Sequence, residues 1–175
     1  MWVATGGHVE STVKIAQAGL PIVYAIIGGN PRYFKKLIQA YREIGSESGH
    51  ADKDLKVGAH SWGWIAEDGE QAVKDYFHPT KQVVDAISKD RPHWQEMTYE
   101  QYLEQVGPNG AMFVGNPDQV AEKLIRMIED LDLDRFMLHL PLGSMPHDQV
   151  LKAIELFGTQ VAPKVRAYFA MKEGL

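Results

Sequence analysis

Apolar positions along the chain change rhythm repeatedly. "MWVAT" is a short apolar run that reads as a strand, and "ESTVKIAQAG" follows with Val13, Ile15 and Ala16 gathered on one helical side and Gly19 as the stop. "LPIVYAII" is continuous and β-branched rather than alternating, the mark of a strand buried on both faces. The next helix begins with Asn30 as N-cap and Pro31 in the first helical position, where the missing N–H costs nothing. It continues through "RYFKKLIQAYREI" with Phe34, Leu37, Ile38 and Tyr41 on one face.

"LKVGAHSWGWIA" predicts a third strand. Residues 68–114 read as an irregular insertion with short helices at Gln71–Phe77, Gln82–Ser88 and Tyr99–Gln105, broken by Pro and Gly at 79, 92, 107, 108 and 110. "GNPDQVAEKLIRMIEDL" then repeats the Asn-Pro device, with Gln119 placed to complete a capping box and Val120, Leu124, Met127 and Leu131 as the buried stripe. "DRFMLHL" predicts a fourth strand. A last helix starts near His147, carries Val150, Ile154 and Phe157, and is ended or kinked by Pro163.

The order β-α-β-α-β-insert-α-β-α implies an α/β fold, a parallel sheet with outer helices. Four β-α units are half of a (β/α)8 TIM barrel, which usually needs ~250 residues and at least ~200. With 175 residues, the chain is expected to be one domain over 1–175: a small open sheet, or a half-barrel of four parallel strands.

Composition narrows the classes. There are no cysteines, which excludes disulfides and thiol chemistry and fits a cytoplasmic setting. The formal charge of −5 is spread over interspersed acids and bases, so no basic stripe argues for nucleic acid and no basic amphipathic helix for a membrane surface. The longest apolar run, Ile22–Ile27, is too short to span a bilayer.

Three stretches carry candidate chemistry. "TGGHVES" is a strand end, a Gly-rich turn and a helix start. Its backbone N–H groups and helix dipole suit a phosphate, Gly6 and Gly7 allow close approach, and Ser11 adds a hydroxyl. The alternative is a βα turn with Glu10 complementing the dipole. Gly28 and Gly29 sit at a second strand end, where a tight turn into a capped helix explains them as well as a ligand does. His60, Trp62 and Trp64 alternate on one strand and share a face, as an aromatic floor or as core with a buried, hydrogen-bonded His. His139 and His147 do not have metal-site spacing, and no metal is expected.

"VATGGHVEST", "AGLPIVYAIIGGNP", "YREIG" with "SGH", "KVGAHSWGWIAED", "MFVGNPDQVAEKL" and "ELFGTQVAPKVR" occur in one order. In this the chain resembles the luciferase-like monooxygenases, flavin-dependent (β/α)8 enzymes, over the C-terminal half of their barrel. The resemblance implies a flavin phosphate site at Thr5, Gly6, Gly7, Glu10 and Ser11, with Glu10-Ser11 matching the family's Glu-Ser pair. His8 stands where many relatives carry a small polar residue and is expected to crowd the turn. Residues 68–114 would be the family's variable insertion near the active-site mouth.

The implied cofactor is reduced FMN, or F420 in related branches. Reduced flavin would react with oxygen to oxidise a small organic substrate, the protein supplying binding, orientation and exclusion of water. No catalytic side chain is singled out. A half-barrel exposes two sheet edges and an apolar interior, so pairing with another copy or with an N-terminal half-barrel is expected, and a flavin reductase is a further expected partner. A non-catalytic flavin-binding or partner subunit, or one piece of a split gene, is the alternative role.

Overall fold

The computed structural model describes residues 1–91 and 94–174. Four parallel strands, β1 (Val3–Thr5), β2 (Ile22–Ala25), β3 (Val57–Ile65) and β5 (Arg135–His139), run side by side in the order β1-β2-β3-β5. A fifth, β4 (Phe113–Gly115), pairs in parallel with the far end of β3, Gly63 opposite Phe113. It falls in the stretch read as irregular, and three residues among glycines and prolines leave no period to read.

The helix-facing side of the sheet is the core. Ile22, Tyr24 and Ile26 on β2 and its extension are fully buried, as are Val57 and Ala59 on β3. Against them lie α1 (Val9–Gln17), whose buried residues are Thr12, Ile15 and Ala16, and α2 (Lys35–Glu47), which buries Ile38 and Tyr41. Both helix stops and starts follow local chemistry. Gly19 takes φ +63° after α1, and the Asn30 side chain accepts from the Arg32 N–H to open a 3-10 turn, Pro31–Phe34, that feeds α2. The α5 helix (Pro117–Leu131) carries the full capping box: Asn116 accepts from the Gln119 N–H, and Gln119 accepts from the Asn116 N–H. Its stripe Val120, Leu124, Met127 and Leu131 is buried as the spacing requires.

Residues 68–114 hold more order than their composition suggests. Pro79 does not break the chain into two short helices: α3 runs unbroken over Gly69–Asp90. Pro79 itself is buried, and so are Tyr76, Thr80 and Val84 around it. Packing on both sides of the proline outweighs the lost N–H bond, and the Thr80 hydroxyl donates to the Tyr76 carbonyl at 2.6 Å beside it. The break expected at Pro92 lies outside the described residues. The shorter α4 (Tyr99–Val106) begins with a Thr98/Gln101 capping box and ends at Gly107. The C-terminal helical run is α6 (His147–Leu156), one π-helical turn (Phe157–Val161) and α7 (Ala162–Glu173). Pro163 thus sits in the first turn of a new helix, where its ring is tolerated. No described helix is long and apolar enough to cross a membrane.

Candidate functional site

Parallel pairing gathers the strand C-termini at one edge. Thr5 ends β1 opposite Tyr24. One position further along, Gly6 follows β1 at the level of Ala25, which pairs with His60, which pairs with Met137. A cleft of ≈ 560 Å³ opens here, with Gly6, Ala25, Ile27, Gly28 and Gly29 on the sheet side. The 68–114 stretch supplies the facing wall: Val84 of α3, Trp94 and Met97 of the loop, Gln101, Glu104 and Gln105 of α4, and Met112 before β4. Among the described residues lining it, Glu104 is the only one with a formally charged side chain.

The two glycines of the turn play different parts. Gly7 has φ +93°, and a Cβ there would come within 2.8 Å of the Phe34 ring. Its glycine is demanded by the fold itself. Among the described residues, chain neighbours aside, no atom lies within 4 Å of where a Gly6 Cβ would stand, so none of them fills the space over its backbone. His8 is the N-cap residue of α1 and its side chain makes no capping hydrogen bond. The N–H groups of the first turn, from Val9 to Ser11, are therefore left for water or a ligand. His8 is exposed rather than folded over the turn. Ser11 is half-buried, while Glu10 is exposed and paired with Lys14 at 2.7 Å. A bare glycine backbone beside an uncapped helix N-terminus has the form that accepts a phosphate.

Gly28 and Gly29 are likewise open: among the described residues, chain neighbours aside, no atom lies within 4 Å of either Cβ position. Gly29 takes φ +74°, and its N–H donates to the Gln105 side chain at 2.9 Å. This is a turn that also binds α4 to the cleft rim.

Of the aromatic strand, Trp64 is core, stacked on Tyr76 of α3 with ring centroids 5.9 Å apart. Trp62 meets Trp94 at 6.3 Å. His60 is not a hydrogen-bonded core residue: among the described residues its ring has no hydrogen-bonding partner. It lies 5.5 Å from the His139 ring, centroid to centroid. Burial first, and His139 second, lower its pKa below the ordinary imidazole value. The pairing of His60 with His139, and the wall built by α4 and Trp94, were not legible in the sequence, because both depend on strand register and on the path of the insertion. Among the described residues no group of three or more potential ligands forms a metal site.

The sequence model of the luciferase-like monooxygenase family matches residues 1–135. No curated protein sequence matches the chain. Among solved structures, the chain is similar to the monooxygenase RslO1 from Streptomyces bottropensis, with a TM-score of 0.75 and 18% identity over 93% of this chain and 47% of that one. The coenzyme F420-dependent tetrahydromethanopterin reductase from Methanopyrus kandleri gives 0.61 at 17% identity, over 93% and 50%. The FMN complex of the oxygenating constituent of 3,6-diketocamphane monooxygenase from Pseudomonas putida gives 0.64 at 16%, over 94% and 48%. The chain spans about half the length of these proteins, and at such identities the likeness speaks for the fold: a βα sheet corresponding to half of theirs. With the family match extending over most of the sequence, the chain belongs to the luciferase-like monooxygenase family.

Proposed function

We propose that this chain contributes the phosphate cradle and one wall of the flavin site in a flavin-dependent monooxygenase or oxidoreductase, with FMN as cofactor and F420 as the alternative. The supporting observation is the open Gly6 backbone beside the uncapped N-terminus of α1, on the ligand-binding edge of a sheet from this family. Backbone N–H groups of Val9, Glu10 and Ser11, with the Ser11 hydroxyl, would hold the phosphate; Thr5 and Gly7 fix the turn that aims them. Bound reduced flavin supplies the electrons with which oxygen is activated and a small organic substrate oxidised. The chain's own part is orientation and shelter. The apolar side chains Trp94, Met97 and Met112 exclude water from the cleft, and Gln101 and Gln105 offer neutral hydrogen bonds that fix a ligand's direction.

The face of β5 opposite the helices bears Met137, 37% exposed, and α6 bears Leu151 and Ile154, each about half exposed (53% and 51%). We assign these exposed apolar groups to contact with a second half-barrel, another copy or an N-terminal half. Turnover then belongs to the paired assembly, served by a separate flavin reductase in a cytoplasmic setting. A flavin-binding partner subunit without turnover of its own is the second reading, favoured by those same uncovered residues.

The test is titration of the chain with FMN, and in parallel F420, followed by fluorescence, for the wild type, Ser11→Ala and Gly6→Val. Saturable binding weakened about tenfold in each variant is the expected result, the loss of one or two charge-assisted hydrogen bonds. Absence of saturation, or affinity indifferent to both substitutions, overturns the proposal.

A further inference from the structure

The inner face of the sheet, away from the helices, carries chemistry that the phosphate cradle does not use. Alternation places Ala4 of β1, Val23 and Ala25 of β2, His60 and Trp62 of β3, and Arg135, Met137 and His139 of β5 on this face. No carboxylate side chain alternates onto it from these strands. His60 is the cross-strand neighbour of Ala25, a cleft residue, and so lies beside the cleft rather than among its lining residues. His139 is the last residue of β5 and pairs in register with Trp62.

Among the described residues the immediate strand neighbours of the two rings are neutral. From β2 the neighbour is Ala25, and from β5 it is Met137. Trp62 lies one face position further along β3 and meets Trp94 from the insertion. The other cation on this face, Arg135, sits at the opposite end of β5 and is engaged over the Trp2 ring at 4.8 Å. The carboxylate facing the cleft is Glu104, on α4 across the opening. Two imidazoles on a face without acids, next to two indole rings, form a place where a negative group is welcome and a flat apolar body has partners. Burial, and then the neighbouring His139, disfavour the charged form of His60.

We propose that His60 and His139 form a two-imidazole subsite on the inner sheet face beside the cleft that receives the carboxylate or other acidic oxygen of an aromatic or similarly apolar ligand. One imidazolium N–H donates to the ligand oxygen, and the second ring donates from its neutral N–H. Trp62 and Trp94 flank the ligand's apolar body. No covalent step is involved: a proton is held between the pair and the ligand's oxygen. The subsite names a substrate class, acidic and apolar, for the cleft. It rests on reading the cleft as a ligand site but not on the cofactor phosphate.

The experiment uses benzoate as the probe and imidazole NMR resonances of the whole chain as the readout, at pH 6 and pH 8, with His60→Gln and the more exposed His139→Gln. Saturable shifts of both imidazoles are expected, with affinity about fivefold weaker at pH 8 because the imidazolium is lost. Either substitution is expected to weaken binding about tenfold, and Ser11→Ala to leave it unchanged. The last comparison separates this subsite from the flavin cradle, since FMN binding and benzoate binding then fail independently. Benzoate shifts that do not saturate, that are indifferent to pH, or that persist at equal affinity in His139→Gln overturn the proposal.

Discussion

The backbone N–H of Gly29 donates to Oε1 of Gln105 at 2.9 Å, joining the turn after β2 to a helix 76 positions away in sequence. This bond fixes the width of the cleft, because one partner belongs to the sheet side and the other to the facing wall. Gln105→Leu removes the acceptor while keeping the side chain's bulk. The exposed bond contributes about 1 kcal/mol to stability, so urea unfolding should report a loss of that size. FMN affinity should fall about threefold as α4 is released, a change read in the same titration that tests the cradle.

Gly6 and Gly7 are adjacent, yet their substitutions should act on different properties. Gly7→Ala forces a Cβ into a left-handed backbone and against Phe34, at a cost of about 2 kcal/mol. Gly6→Ala meets open space and should change stability by less than about 0.5 kcal/mol. Chemical denaturation of the two variants side by side checks this. Gly7 is then the residue of the fold, and Gly6 is the one whose substitution speaks to a ligand.

The elements legible in the sequence were those whose signal is local. The Asn116-Pro117-Gln119 start of α5 and its four-residue stripe can be read without knowing what they touch, and so can the continuous apolar run of β2. The failures had a common cause. Pro79 punctuates a sequence, but buried neighbours at Tyr76, Thr80 and Val84 carry α3 through it. β4 exists because the end of β3 outlasts its partners and needs one. At the site, the turn at Gly6–Ser11 was visible as a glycine pair before a helix. The contributions of Gln105, Trp94 and the His60–His139 pair were not, since each arises where distant segments meet.

Lys123 should prove the most sensitive charged position. It is 9% exposed, and its ammonium donates to the carbonyls of Val106 at 2.9 Å, Gly107 at 2.6 Å and Met112 at 2.6 Å. It therefore closes the C-terminal end of α4 and fastens it to the segment entering β4. Burial pulls its pKa down to about 7, while the carbonyl oxygens favour the ammonium form. Lys123→Met keeps the apolar stem and strands the oxygens, which should cost about 3 kcal/mol. Thermal unfolding by circular dichroism measures the loss. A variant as stable as the wild type would mean that water replaces the ammonium at these carbonyls.

Acid should weaken the fold through His60 before it reaches the carboxylates. The folded-state pKa of His60 lies below its unfolded value near 6.5, through burial and then His139. Between those two values the unfolded chain binds more protons than the folded one, so stability rises with pH across the window. The contribution is intact above pH 6.5 and is lost as pH falls through 6.5 toward the folded value. The ring is only partly buried, so solvent screening keeps the effect modest, on the order of 2 °C in Tm. His139→Gln removes the repelling neighbour and should flatten the slope between pH 7 and pH 5, and His60→Gln should flatten it further. Asp85 acts in the same sense but in a separate, more acidic window. Hydrogen bonds from Lys81 and then from the Met97 N–H lower its pKa below the usual 3.8. Its stabilisation is present above that value and is lost as pH falls through the folded pKa. Thermal melts at pH 7, 6, 5 and 3 on the wild type and the two histidine variants separate the contributions, and a wild-type slope between pH 7 and 5 that survives in His60→Gln would assign it to another group.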